Sequence, residues 1–227
     1  MAVIGFDLDM TLVDSADAIV ECVSHTATTF GFVADPDHVR ATVGLPLDRV
    51  FPDVVPGVPY EDALAVYRAR YLSHGLAMQT LLPGADEALR MVVGDGYRVV
   101  VVSAKKDTHV QAVLDTVGLA AYVDDVVGER FADTKADALR ERAALAYVGD
   151  HPGDVAGALG AGAVAVAVAT GPSSREALLA AGGDPVLDDL TQFGAWWRPW
   201  AAARDGRSST TSPGTAVPGL AAQEAGR

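Results

Sequence analysis

Four consecutive valines, Val99, Val100, Val101 and Val102, stand between Arg98 and Ser103 and constrain the fold more than any other stretch. β-Branched residues in a row favour extended backbone and leave the strand no polar face. Such a strand must be covered on both sides, the condition of a parallel sheet flanked by helices. The surrounding chain repeats the pattern. Residues 2–6, 122–127, 145–150 and 163–169 also read as strands. Helical stretches alternate with them at 84–93, 106–117, 155–161 and 173–181, and Thr134-Lys135-Ala136-Asp137 resembles a capping box opening one more. In the 106–117 segment Val110, Val113, Leu114 and Val117 share one face, and Gly118 is placed to end the helix. The alternation predicts an α/β fold, a doubly wound parallel five-stranded sheet. Sheets of this class hold ligands beyond the carboxyl ends of their strands.

Residues 15–82 break the alternation. Ala16, Ile19, Val20, Val23 and Ala27 recur at near-helical spacing, and Asp35-Pro36 opens a second helix. Gly44-Leu45-Pro46-Leu47 interrupts it, Pro52, Pro56, Gly57 and Pro59 mark a loop, and the chain is helical again from Tyr60 to Ser73. The block holds no strand pattern. The expected organisation is an α/β core of residues 1–14 and 83–200, with 15–82 an all-helical cap above the strand ends. Residues 201–227 are rich in Ala, Gly, Ser, Thr and Pro without apolar periodicity and read as a disordered tail. Trp196, Trp197 and Trp200 are expected to pack the last helix onto the sheet.

Half of the 227 residues are apolar, enough for a sizeable core. A formal charge of −13 opposes nucleic acid or an anionic membrane surface as partner. It leaves room for a small phosphorylated metabolite at a locally positive site. Cys22 is the single cysteine, and neither a secretory opening nor a membrane-length apolar run is present. A cytoplasmic protein, monomer or homodimer, is expected.

Polar residues fall where a parallel sheet gathers its strand ends. Asp7 and Asp9 follow the first strand, Ser103 ends the second, Lys135 follows the third, and Asp150 and Asp154 follow the fourth. Each has a plain reading: two solvated loop acids, a turn-capping serine, a solvated lysine, a helix-capping aspartate. Together they read as a phosphate site. Carboxylate oxygens suit Mg²⁺, while a hydroxyl and an ammonium suit phosphoryl oxygens. The cation and the lysine offset the repulsion between an attacking carboxylate and a phosphate dianion.

On these residues the chain resembles the haloacid dehalogenase superfamily, in particular its helical-cap phosphatases similar to phosphoglycolate phosphatase. Asp7-Leu8-Asp9-Met10-Thr11 with Leu12-Val13-Asp14-Ser15 meets the first family motif, Ser103 the second, Lys135 the third, and Gly149-Asp150 with Asp154 the fourth. Gly44-Leu45-Pro46-Leu47 resembles a cap sequence of that group. The likeness spans about residues 2–193. Two positions depart from it: Met10 stands where the family usually has glycine, and Lys135 lacks the proline that often follows. Lys105 and Lys106 compete with Lys135, but they follow Ser103 in a different strand connection.

The resemblance implies a phosphoric monoester hydrolase. Asp7 would be the nucleophile and Asp9 the acid and base. Ser103, Lys135 and Thr11 would serve the phosphate. Mg²⁺ would be held by Asp7, the backbone of Asp9, Asp150 and Asp154. Arg49 is a candidate reader of an anionic substrate tail. Asp9 favours phosphorus over carbon–halogen chemistry, and the absence of lysine from residues 15–82 argues against a Schiff-base phosphonatase. A sugar-phosphate mutase, a receiver-like phospho-acceptor and an inactive regulatory homologue are the competing readings.

Overall fold

The computed structural model describes residues 1–204. In chain order these form β1 (Val3–Phe6), β2 (Val13–Asp14), α1 (Ala16–Thr29), α2 (Pro36–Ala41), α3 (Leu47–Val54), α4 (Tyr60–Ser73), β3 (Thr80–Leu81) and α5 (Ala85–Gly94). There follow β4 (Arg98–Val102), α6 (Asp107–Val117), β5 (Asp125–Val127), α7 (Asp133–Glu141), β6 (Ala144–Gly149), α8 (Pro152–Ala161), β7 (Val164–Val168), α9 (Arg175–Ala180), β8 (Val186–Leu187) and α10 (Phe193–Arg204). The main sheet is parallel, in the order β5-β4-β1-β6-β7-β8. It has six strands rather than five, because β8 adds a two-residue edge too short for any periodic signal.

The valine run behaves as its composition demands. Val99 and Val101 join the apolar layer on one face with Ile4, Phe6 and Val148. Val100 and Val102 join the other, with Val3, Tyr147 and Ala165. All four valines are buried, each contributing about 1.5–3 kcal/mol from the area removed from water. Gly5 is a steric requirement at the sheet centre, since a Cβ there would lie 2.7 Å from the Tyr147 ring and 2.8 Å from Leu139. Tyr147 spends its hydroxyl on the Val102 carbonyl, 2.6 Å away.

β1 sits between β4 and β6, with Phe6 opposite Val101 on one side and Val148 on the other. The segments leaving these three strands therefore start side by side. Helices α1 to α4 are inserted between β2 and β3, which pair as a two-residue antiparallel ribbon. Of its two strands only β3 lies inside residues 15–82, the block read as strandless; β2 closes the expected core segment 1–14. The ribbon's two ends meet only in three dimensions.

At the far end, Trp197 is fully buried and donates from Nε1 to Asp95 at 2.7 Å. Its ring stacks on Phe193 with centroids 5.6 Å apart, as packing of the last helix requires. α10 runs through Arg204, so residues 201–204 belong to the fold and not to a tail. The remainder of the expected tail, 205–227, lies outside the described residues. Among the described residues no helix is long and apolar enough to cross a membrane.

Candidate active site

The loop after β1 is folded tightly on itself. Asp7 N–H extends the ladder to the Val148 carbonyl at 2.8 Å, and the Leu8 carbonyl accepts from Leu12 and Val13. Met10 N–H closes the loop onto the Val13 carbonyl at 2.8 Å, and Met10 itself is held at φ +57°. That is the left-handed region, which costs a side-chain-bearing residue about 1–2 kcal/mol and glycine almost nothing. The position therefore favours glycine. Here the Met10 carbonyl accepts from the Thr170 hydroxyl, which helps retain the turn.

Asp7 faces inward. Its Oδ1 accepts from Lys135 Nζ at 2.7 Å, and the same ammonium reaches Asp154 Oδ1 at 2.5 Å. Lys135 is only 3% exposed and projects from the first turn of α7. That helix begins at Asp133, so the expected capping box does not form; Thr134 instead exchanges hydrogen bonds with the Phe131 backbone. Asp150, at the end of β6, is fully buried. Its Oδ1 accepts from Thr11 at 3.2 Å, and its Oδ2 has no hydrogen-bond partner among the described residues. The Thr11 hydroxyl thus supports a carboxylate. Asp154 also caps α8: its Oδ2 accepts from His151 N–H at 3.0 Å while His151 Nδ1 accepts from Gly153 N–H at 2.9 Å. The N-cap residue is His151, not Asp154.

Two glycines make room for this arrangement. A Cβ on Gly171 would lie 1.8 Å from Asp150 Oδ2, and one on Gly149 would lie 2.5 Å from the Asp154 carboxyl. Gly171, in the turn after β7, carries no signal in the sequence, because what it avoids is distant in the chain.

Oxygens of Asp7, Asp150 and Asp154 lie within 4.8 Å of one another, all buried. Three carboxylates against one ammonium leave an excess of negative charge. Burial, and next the proximity of Asp154 and Asp9, push Asp7 up to about 7 despite the opposing pull of Lys135. Burial and then Asp154 and Asp7 also raise Asp150. Burial by itself would lower Lys135, but Asp154 and Asp7 outweigh it and hold the ammonium charged. A hard divalent cation fits this donor set: all-oxygen ligands, one of them without a partner, in a region short of positive charge.

The remaining sequence-predicted residues surround the entrance. A cavity of about 520 Å³ is lined by Asp7, Asp9, Ser103, Lys105, Arg49 and Phe131, among others. Lys135, Asp150 and Asp154 do not line it. Ser103 is buried at the end of β4, its hydroxyl accepting from Lys105 N–H at 3.2 Å. Arg49 is exposed on α3, its guanidinium 4.9 Å from the centre of the Phe131 ring, so it reaches the cavity wall and not the carboxylates. The sequence offers Lys105 only as a rival to Lys135. Its Nζ lies 3.2 Å from Asp9 Oδ1, so the site contains both lysines, each serving a different acid. Lys105 sits in the bend between β4 and α6, where the Ser103 hydroxyl accepts from its N–H, so no strand or helix period points it at Asp9.

Residues 4–168 match the family model described as haloacid dehalogenase-like hydrolase. The chain is 31% identical over 210 residues to a protein named probable phosphatase IndB of Dickeya dadantii, covering 82% of this chain and 89% of that one. It is 31% identical to a phosphoglycolate phosphatase of Rhodospirillum rubrum, covering 84% and 88%. A solved haloacid dehalogenase-like family hydrolase from Streptococcus pneumoniae superposes with a TM-score of 0.78 at 23% identity, over 87% of this chain and 99% of that one, a likeness of fold.

Proposed function

The chain belongs to the haloacid dehalogenase-like hydrolase family, as a phosphatase of its phosphoglycolate-phosphatase-like branch, and from that premise we propose that it hydrolyses a small phosphate monoester through Asp7 with the help of Mg²⁺. The observation that carries this reading is the placement of Asp7. It lines the cavity, is gripped by Lys135 at 2.7 Å, and touches the carboxylate cluster behind it.

In this mechanism Asp7 attacks phosphorus, forming a carboxyl–phosphorus bond as the ester P–O bond breaks. Asp9 gives its proton to the departing oxygen, so the alcohol leaves neutral. Water then attacks the aspartyl-phosphate, Asp9 takes its proton, inorganic phosphate departs and Asp7 is restored. Lys135 keeps the attacking carboxylate oriented, and Ser103 binds a phosphoryl oxygen. Asp7, the Asp9 backbone carbonyl, Asp150 and Asp154 would hold Mg²⁺, whose charge offsets the repulsion between carboxylate and phosphate. The helices of residues 15–82 act as a cap on a core of 1–14 and 83–204, closing water out of the cavity, and Arg49 on that cap meets the substrate tail. A cytoplasmic phosphorylated metabolite is the substrate class in this reading.

Continuous release of inorganic phosphate from such esters, abolished by a chelator and restored by Mg²⁺, is the expected result. A single stoichiometric phosphorylation without turnover would overturn it.

The metal can be tested without substrate. In the metal-free chain Asp7 titrates at about 7 when folded, against a reference value of 3.8. A raised folded value means that its contribution to stability is complete below about pH 4 and disappears as pH climbs through 7. A cation binds the ionised carboxylates, so its effect has the opposite slope. Mg²⁺ at about 100 times its Kd should raise Tm by roughly 5–10 °C at about pH 8, and much less at about pH 5. A shift independent of pH between those values would count against the carboxylate cluster as its site.

A further inference from the structure

Lys105 joins the acid of the core to an aromatic ring of the inserted helices. Its side chain is 8% exposed, with Nζ 3.2 Å from Asp9 Oδ1. The same Nζ lies 4.2 Å from the centre of the Tyr71 ring. Tyr71 belongs to α4, is fully buried, and on its own account stacks on His109 of α6 with centroids 5.6 Å apart at 10°. Its hydroxyl has no hydrogen-bond partner among the described residues, so what it offers Lys105 is the face of its ring. Asp9 Oδ1 is likewise buried without a hydrogen bond among the described residues, and the ammonium is its ion-pair partner.

A buried ammonium is a poor choice for packing alone. A methionine of similar length would lie against Tyr71 without losing a hydration shell. What a methionine would not do is hold the Asp9 carboxyl. That carboxyl lines the cavity, and a group that passes a proton to a leaving oxygen must point at it within hydrogen-bond reach.

We propose that Lys105 is a positioning residue: it aligns Asp9, and Tyr71 of the inserted helices aligns Lys105, so that the acid is in register only when those helices are seated on the strand ends. The inference rests on Asp9 as the proton-handling group of the proposed reaction. It makes the insertion part of the proton-transfer geometry as well as a cover.

The test compares an alkyl phosphate, whose alkoxide needs a proton to leave, with p-nitrophenyl phosphate, whose phenolate departs without one. Lys105→Met should lower kcat on the alkyl ester by about 10²-fold, the range of one lost acid, with KM little changed and a much smaller loss on the aryl ester. Lys105→Arg should recover part of that loss. Tyr71→Leu should reproduce the pattern more weakly, and Tyr71→Phe, which keeps the ring, should lose less than Tyr71→Leu. Equal losses on both esters would overturn the proposal, as would a rise confined to KM for esters bearing a second anionic group, the mark of a substrate-binding lysine. A double-mutant cycle of Lys105→Met and Asp9→Asn, read by thermal unfolding, separates this inference from the phosphatase reading. Non-additive losses support the link and additive ones overturn it, even if no ester is hydrolysed and the phosphatase reading itself fails.

Discussion

Asp7→Asn is expected to reduce turnover by at least about 10⁴-fold, as removal of a covalent nucleophile does elsewhere, while leaving the chain folded. An amide oxygen cannot form the aspartyl-phosphate, and no neighbouring acid is placed to substitute. Asp9 is held toward Lys105, and Asp150 and Asp154 do not line the cavity. The fold should tolerate the change, since asparagine has nearly the shape of aspartate and Lys135 keeps Asp154 as its partner. At about pH 8 the metal-free variant should be no less stable than the wild type. Burial and crowding push Asp7 up to about 7, so its charge is a burden to the folded state above that pH. Phosphate release measured beside circular dichroism checks both halves. Full activity in a folded variant would remove Asp7 from the chemistry.

Lys135→Met should cost about 3–5 kcal/mol of stability at about pH 8, because breaking a buried ion pair strands charge in the interior. The stranded groups are Asp7 and Asp154, with Asp150 beside them. Activity should also fall by about 10²–10³-fold, the usual cost of one preorganised charge at a reacting group. The stability cost has a pH signature. Lys135 is raised above its ordinary value, so its ammonium persists throughout the accessible range, and the variation comes from the acids. Asp7 and Asp150, both raised, take up protons as pH falls and then need no partner. The deficit should therefore shrink at about pH 5, and Mg²⁺ should recover part of it at about pH 8. Denaturant unfolding at the two pH values measures this. A deficit unchanged by pH would mean that Lys135 matters for packing and not for its charge.

What was legible in the sequence follows from where each signal is written. The valine run, the alternating helices and the acids at strand ends are local patterns, so the parallel sheet and the positions of Asp7, Ser103, Lys135 and Asp150 at its carboxyl edge could be read in advance. Two-residue elements could not. β2, β3 and β8 have no period to detect and exist because a distant segment supplies their hydrogen bonds. Met10 could be read only as a departure from a family habit; its positive φ supplies the physical reason that glycine suits the position.

The lysines mark the boundary most clearly. The sequence by itself determined that an α/β sheet with an inserted helical block would form, because burial and backbone periodicity are decided within each segment. The family resemblance favours Lys135 over Lys105 and sets it beside Asp7, and the sequence leaves Lys105 without a role at the site. The tertiary structure pairs Lys135 with Asp7 and, on its own, assigns Lys105 to Asp9. Such pairings depend on how the connection after β4 and the start of α7 converge on the end of β1. Ion pairs of 3 Å or so reward a placement in space that no local pattern encodes.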